Sequence, residues 1–157
     1  MFFPSIILIF GFLRDKKSRS IVNFEQLVAA VKRSFEVEGY TVLPYYAEHH
    51  TTRKVAEVYR VASAVVAPHG AGLSNIIFSP PHIPIIELAY GRKGSNCAES
   101  NRPWFIDKAS VFSMTHYTVI DTSSECPIFS KPFTAPISKI VLTLSHALLE
   151  RKRLPNT

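Results

Sequence analysis

The chain has 157 residues, 46% of them hydrophobic, with 11 Phe, 6 Tyr and 1 Trp. That is enough apolar area for the core of one domain, and it excludes disorder over most of the length. A formal charge of +6 and a pI near 9.5 favour anionic partners. The excess charge sits in two clusters, Arg14, Lys16, Lys17 and Arg19 in one short stretch and Arg151, Lys152 and Arg153 near the end. No nucleic-acid recognition module or basic–aromatic alternation accompanies them, so nucleic acid is not an expected partner.

The first segment, Met1 to Leu13, is apolar but lacks a basic lead and a small-residue cleavage site, and Pro4 and Gly11 interrupt it. It is also shorter than the roughly 20 apolar residues of a membrane-spanning helix. No targeting segment is evident, and Ser5 to Phe10 reads as a buried strand. A chain that opens on a core strand carries the expectation of a missing amino-terminal part. Phe24, Leu27, Val28, Val31 and Phe35 then fall on one helical stripe, with Asn23 as N-cap, Gln26 at the third position and Gly39 at the end.

Tyr40 to Leu43 predicts a second strand, closed by Pro44. Thr52 is placed to cap a helix that carries Val55, Val58, Tyr59 and Ala62 on one side. Ala64 to Ala67 is a third strand, stopped by Pro68, and a short helix runs to Phe78 before Pro80-Pro81. Ile85 to Leu88 is a fourth strand and Gly91 to Arg102 a polar loop. Trp104 to Phe112 has helical character, and Tyr117 to Ile120 reads as a fifth strand. The last helix carries Ile137, Ile140, Val141, Leu144 and Leu148. Strands alternating with helices across short turns predict an α/β fold with a Rossmann-like, doubly wound parallel sheet. In such a sheet the strand-to-helix loops share the carboxyl edge, where ligands bind. The Arg14–Arg19 loop, the turn after Pro68 and Glu87 would meet there.

That turn is the most informative stretch: Val65-Val66-Ala67-Pro68-His69-Gly70-Ala71-Gly72-Leu73-Ser74-Asn75. A strand, a glycine turn and a helix start leave backbone N–H groups pointing one way, at the positive end of a helix dipole. Gly70 and Gly72 would admit a phosphate or diphosphate close to the main chain. The alternative is a tight turn in which glycine serves geometry alone.

Residues over nearly the whole chain resemble glycosyltransferase family 61. They are an arginine after the first strand, Arg19-Ser20-Ile21-Val22-Asn23-Phe24-Glu25-Gln26-Leu27, then Pro68-His69-Gly70-Ala71-Gly72-Leu73-Ser74-Asn75-Ile76-Ile77-Phe78-Ser79-Pro80 and Ile86-Glu87-Leu88. The match is to the carboxyl-terminal half of the catalytic region. Phe10-Gly11-Phe12-Leu13 and Pro68 depart from the family pattern. The resemblance implies the nucleotide-sugar-binding half of a GT-B enzyme, residues 1–157 forming a single donor-binding domain with the acceptor domain absent. It implies inverting transfer from a nucleotide sugar, UDP-linked, to a protein or glycan hydroxyl, without metal or other cofactor. It also implies the secretory pathway, Golgi or endoplasmic reticulum, as location.

On this reading Arg14 and Arg19 neutralise the diphosphate through forked, permanently charged donors, while Lys16 and Lys17 belong to a solvated turn. The backbone of Gly70, Ala71, Gly72, Leu73 and Ser74 completes the cradle. His69 touches a phosphate or the nucleoside, or else fixes the turn through a loop carbonyl. Glu87 accepts from ribose hydroxyls, by analogy with dinucleotide sites, or else pairs with a neighbouring loop. Asn23 is a helix cap before it is a ligand. His49-His50 has no third ligand nearby, and His82, His116 and His146 carry no argument. The tail cluster reads as a solvated helix end. Cys97 and Cys126 leave the redox compartment open. No residue stands out as the base for the acceptor; the candidate carboxylates are Asp15, Glu48 and Glu99. The competing reading is an inactive nucleotide- or phosphate-binding fragment or degenerate homologue. An α/β-hydrolase would need a Gly-x-Ser-x-Gly elbow, and the chain has none.

Overall fold

The computed structural model describes residues 5–11, 20–46, 49–90, 109–121 and 132–153. Among them five strands, β1 (Ser5–Phe10), β2 (Tyr40–Tyr45), β3 (Ala62–Pro68), β4 (Pro84–Tyr90) and β5 (Thr115–Asp121), form one sheet in the order β2-β1-β3-β4-β5. Every pairing is parallel. This is the flavodoxin-like order, whose switch point lies between β1 and β3. The helices are α1 (Phe24–Phe35), α2 (Thr52–Arg60) and α3 (Ile137–Arg153).

The period-2 alternation of side chains divides the core into two layers. Ile7, Ile9, Ala64, Val66, Ile86 and Leu88 face α1 and α3, meeting Leu27, Val31, Phe35, Ile140 and Leu144. Leu8, Val65, Ala67 and Ile85 face the other way, onto Val55 and Tyr59 of α2 and onto Leu73 and Ile76. Because helices cover both faces, the central strands read as continuous apolar runs. Ile7, Leu8, Ile9, Val65, Val66, Ile85 and Ile86 are all fully buried. Each such branched side chain contributes about 1.5–3 kcal/mol by leaving water.

Several local expectations are corrected. β2 runs through Pro44 to Tyr45. It is an edge strand, where a missing N–H is tolerated. β3 likewise includes Pro68, opposite Leu88. Thr51, one residue before the expected position, caps α2 by accepting from Lys54 N–H at 3.3 Å. α1 ends at Phe35 and a 3₁₀ turn, Glu36–Glu38, leads to Gly39, whose φ of 86° supplies the left-handed cap.

Asn23 makes no capping hydrogen bond. Its side-chain amide instead donates to Ala135 O at 2.9 Å and accepts from Ala135 N at 2.7 Å. Val22 N to Phe133 O and Phe133 N to Ser20 O continue this seam, which pins the entry of α1 to the entry of α3. The tail cluster is not simply solvated either. Arg151 donates to Ser63 O at 2.7 Å, and burial lowers its pKa. Lys152 lies 3.7 Å from Glu38 and over the ring of Tyr40. No helix among the described residues is long and apolar enough to cross a membrane.

Candidate functional site at the carboxyl edge of β1, β3 and β4

At the carboxyl end of β3 the chain turns sharply. His69 N still donates to Leu88 O at 2.9 Å, prolonging the β3–β4 ladder by one bond. Gly70 then adopts φ 152°, ψ −179°, a region essentially confined to glycine. That conformation throws the chain into a 3₁₀ helix, Ala71–Phe78, in place of an α-helix. Leu73 N closes its first turn on Gly70 O at 3.0 Å. A 3₁₀ helix bonds each amide to the carbonyl three residues back, so the amides of Ala71 and Gly72 have no partner within it.

The expected cradle is therefore narrower than the run from Gly70 to Ser74. Leu73 is corrected outright: its amide is bonded and its side chain is fully buried in the core. Ser74 is half-buried one residue further into the helix. The carbonyl of Gly72 points inward, accepting from Tyr59 Oη and from Asn75 Nδ2, each at 3.1 Å. Tyr59 is fully buried, and burial raises its pKa far above the ordinary value, so the hydroxyl is a permanent donor holding the turn from beneath.

The structure also joins two residues that the sequence treated separately. Ala67 of β3 lies opposite Glu87 of β4. His69, two residues on, keeps the parity of Ala67, so its side chain and that of Glu87 share one face of the sheet. His69 Nδ1 pairs with Glu87 Oε1. The imidazole side chain is 14% exposed and the carboxylate 1%. Glu87 does not end its strand: it lies within β4, which continues to Tyr90, and its side chain is buried.

Beside the turn, at the end of β1, Gly11 N donates to Tyr45 O at 3.1 Å. A Cβ on Gly11 would stand 2.5 Å from Tyr46 Cε1 and 3.0 Å from Phe24 Cζ. The packed pair Phe24–Tyr46, ring centroids 5.5 Å apart, thus accounts for glycine at a position where this chain departs from the resemblance. His49 and His50 do not act together: they pack on different rings, Tyr46 and Tyr45. Among the described residues no three His, Cys, Asp or Glu side chains gather in a way that could hold a metal ion.

Arg14, Lys16, Lys17 and Arg19 lie outside the described residues, in sequence between Gly11 at the end of β1 and Ser20 at the seam to Phe133. Asp15, Glu48, Cys97, Glu99, Cys126, the Gly91–Arg102 loop and Trp104 are outside them too. Of the Trp104–Phe112 helix, a helical turn over 109–111 is described.

Among solved structures the chain is similar in fold to a diflavin flavoprotein from Nostoc sp., with a TM-score of 0.56, 10% identity and coverage of 96% of this chain and 95% of that one. It is also similar to an oxidoreductase from Corynebacterium diphtheriae, with a TM-score of 0.55, 10% identity and 96% of each chain covered. These agree with the strand order and speak to fold alone. No curated protein matches the chain in sequence. The family model of Glycosyltransferase 61 matches residues 7–86, from β1 through the glycine turn into β4. The matched half contains α1, the turn and all but the last residue of the His69–Glu87 pair, so the chain belongs to glycosyltransferase family 61, enzymes that take a sugar donor and an acceptor.

Proposed function

We propose that this chain is the donor-binding side of an inverting GT-B glycosyltransferase of the secretory pathway. Its donor is a nucleotide-linked sugar, UDP-linked, and its acceptor a hydroxyl of a protein or glycan. The observation that carries this reading is the backbone of Gly70, which leaves the amides of Ala71 and Gly72 without a partner inside the 3₁₀ helix at the carboxyl edge, beside the β1/β3 switch point. Two such amides and an imidazole close together in one turn suit a diphosphate oxyanion. Arg14 and Arg19 would supply the countercharge. A hydrogen bond to a charged group contributes roughly 1.5–3 kcal/mol, so this set suffices for a diphosphate without metal. Charge builds on the diphosphate as the glycosidic bond breaks, so donors placed there stabilise the transition state beyond the bound substrate.

Calorimetry with UDP and with uridine, in the presence of a chelator, tests the reading. UDP binds and uridine binds far more weakly; Arg19→Ala and Gly72→Val reduce UDP affinity more than uridine affinity. Strict dependence on a divalent metal, or equal losses for both ligands, would overturn the cradle. Inverting transfer further requires a base on the acceptor side, which this reading assigns to a second domain. The purified chain alone then transfers no sugar, and transfer to a defined acceptor by these 157 residues would refute that division of labour.

A further inference from the structure

The glycine turn meets the phosphate end of a nucleoside diphosphate and offers nothing to its base. On the same face of the sheet, one strand beyond β1, a second feature stands at the carboxyl edge. Tyr45, the last residue of β2, is 5% exposed and belongs to the core layer of Ala67, Leu73 and Ile76. The imidazole of His50 lies flat upon its ring, with centroids 5.0 Å apart and planes 13° from parallel. His50 is exposed, so one face of the imidazole rests on the core and the other is turned outward. The neighbouring ring contacts, Phe24–Tyr46 and Tyr46–His49, are tilted by 56° and 36° and present no such flat surface. The register joins this stack to the turn. Tyr45 pairs with Phe10 of β1, and Ile9 pairs with Val66 of β3; continued by one residue, the row runs Tyr45, Phe10, Ala67. Two strand spacings, about 10 Å, therefore separate the backbone of Tyr45 from that of Ala67, which stands three residues before Gly70. Tyr45 is also an electrostatic neighbour of Tyr59, whose hydroxyl holds Gly72 O. His50 itself directly precedes Thr51, the cap of the helix that carries Tyr59.

We propose that the outer face of His50 is the platform on which the base of the nucleotide donor stacks, and that Tyr45 is the residue that holds the imidazole flat. This rests on the donor reading above. The ribose and the first phosphate span the distance from the stack to the glycine turn. A ring already ordered against a buried tyrosine loses little freedom when a base settles on it, so the platform is pre-organised. Stacking uses π faces, so it acts on the base whichever ring nitrogen of His50 carries a hydrogen. Every base has such a face, so the platform fixes the base without choosing among bases.

Calorimetry on the whole chain with UDP, uridine and inorganic pyrophosphate separates the two ends of the ligand. His50→Ala weakens UDP and uridine by the same factor, roughly fivefold to a hundredfold, the value of one base stacked on an aromatic ring. It leaves pyrophosphate affinity unchanged, the converse of Gly72→Val, which acts through the phosphates. His50→Leu, bulky but without a π face, behaves like His50→Ala. His50→Trp keeps UDP affinity, and its indole emission is quenched by UDP and uridine and not by pyrophosphate, read as the difference from the wild-type chain, whose one tryptophan is Trp104. UDP affinity untouched in His50→Ala, an equal loss for UDP and pyrophosphate, or an indole emission unmoved by UDP would overturn the platform alone. A wild-type chain that binds neither UDP nor pyrophosphate would overturn the donor reading, and the platform with it.

Discussion

Gly70→Ala is the sharpest test of the turn. The native backbone there, φ 152° and ψ −179°, lies in a region that costs a residue with a Cβ about 1–3 kcal/mol. Gly70 is also buried, and relief of the strain requires moving the chain on one side or the other. A loss of about 2 kcal/mol lowers the Tm of a domain of this size by roughly 4–8 °C. The strain is relieved most readily by rotating the peptide into Ala71, which displaces its amide and with it about tenfold of UDP affinity per bond lost. Gly39→Ala is the matched control. Its φ of 86° is left-handed as well, but a Cβ there meets nothing within 4 Å, and the expected cost is about 1 kcal/mol with UDP binding intact. Urea denaturation and calorimetry on both variants give the two readouts. Gly70→Ala with wild-type stability and wild-type affinity, or equal affinity losses in the two variants, would show that this backbone neither stores strain nor shapes the site.

Tyr59→Phe removes the hydroxyl that supports Gly72 O while Asn75 still donates to that carbonyl, so denaturant midpoints should report a loss of about 1 kcal/mol. Gly11→Ala drives a methyl group into Tyr46; it should destabilise by about 1–3 kcal/mol, and adding Tyr46→Ala should recover much of that loss in a double-mutant cycle. Tyr117 donates to Glu150 Oε2 at 2.8 Å, and burial, then this bond, push its pKa up from 10.0 to about 12. A pKa raised on folding contributes stability below the unfolded value that fades as pH climbs through the folded one. The stability difference between wild type and Tyr117→Phe should therefore be constant below pH 10 and shrink between about pH 10 and 12, followed by denaturation at fixed salt.

Periodicity carried most of the architecture. Ile6 to Phe10 reads as a two-sided strand because helices cover both faces, and the Phe24–Phe35 stripe reads as a helix because one side of it is core. Proline misled at Pro44 and Pro68, since neither a sheet edge nor the last residue of a strand needs the missing N–H. Leu73 reads as part of the cradle because it sits in the glycine motif; only the tight 3₁₀ winding turns it into the core. His69 and Glu87 are each visible in the sequence, but their pairing depends on β3 and β4 being neighbours, and their shared parity becomes meaningful only once Ala67 is known to face Glu87. Asn23 shows a helix-start signal locally, whereas its real partner lies 112 residues away, beyond any local pattern.

That distant partnership bears on how the molecule can be cut. The family match ends at residue 86, yet the backbone entering α1 is bonded to Phe133 and the Asn23 side chain to Ala135, and the layer over Ile7, Ile9 and Leu27 is completed by Ile140, Leu144 and Leu148. Closing so long a loop makes this seam one of the most non-local contacts in the fold, the kind that forms late and slowly. Until it forms, the motif-bearing half exposes an apolar sheet face. A fragment trimmed to the matched residues would keep that face open permanently and would aggregate. The smallest unit able to fold is therefore longer than the smallest unit that can be recognised.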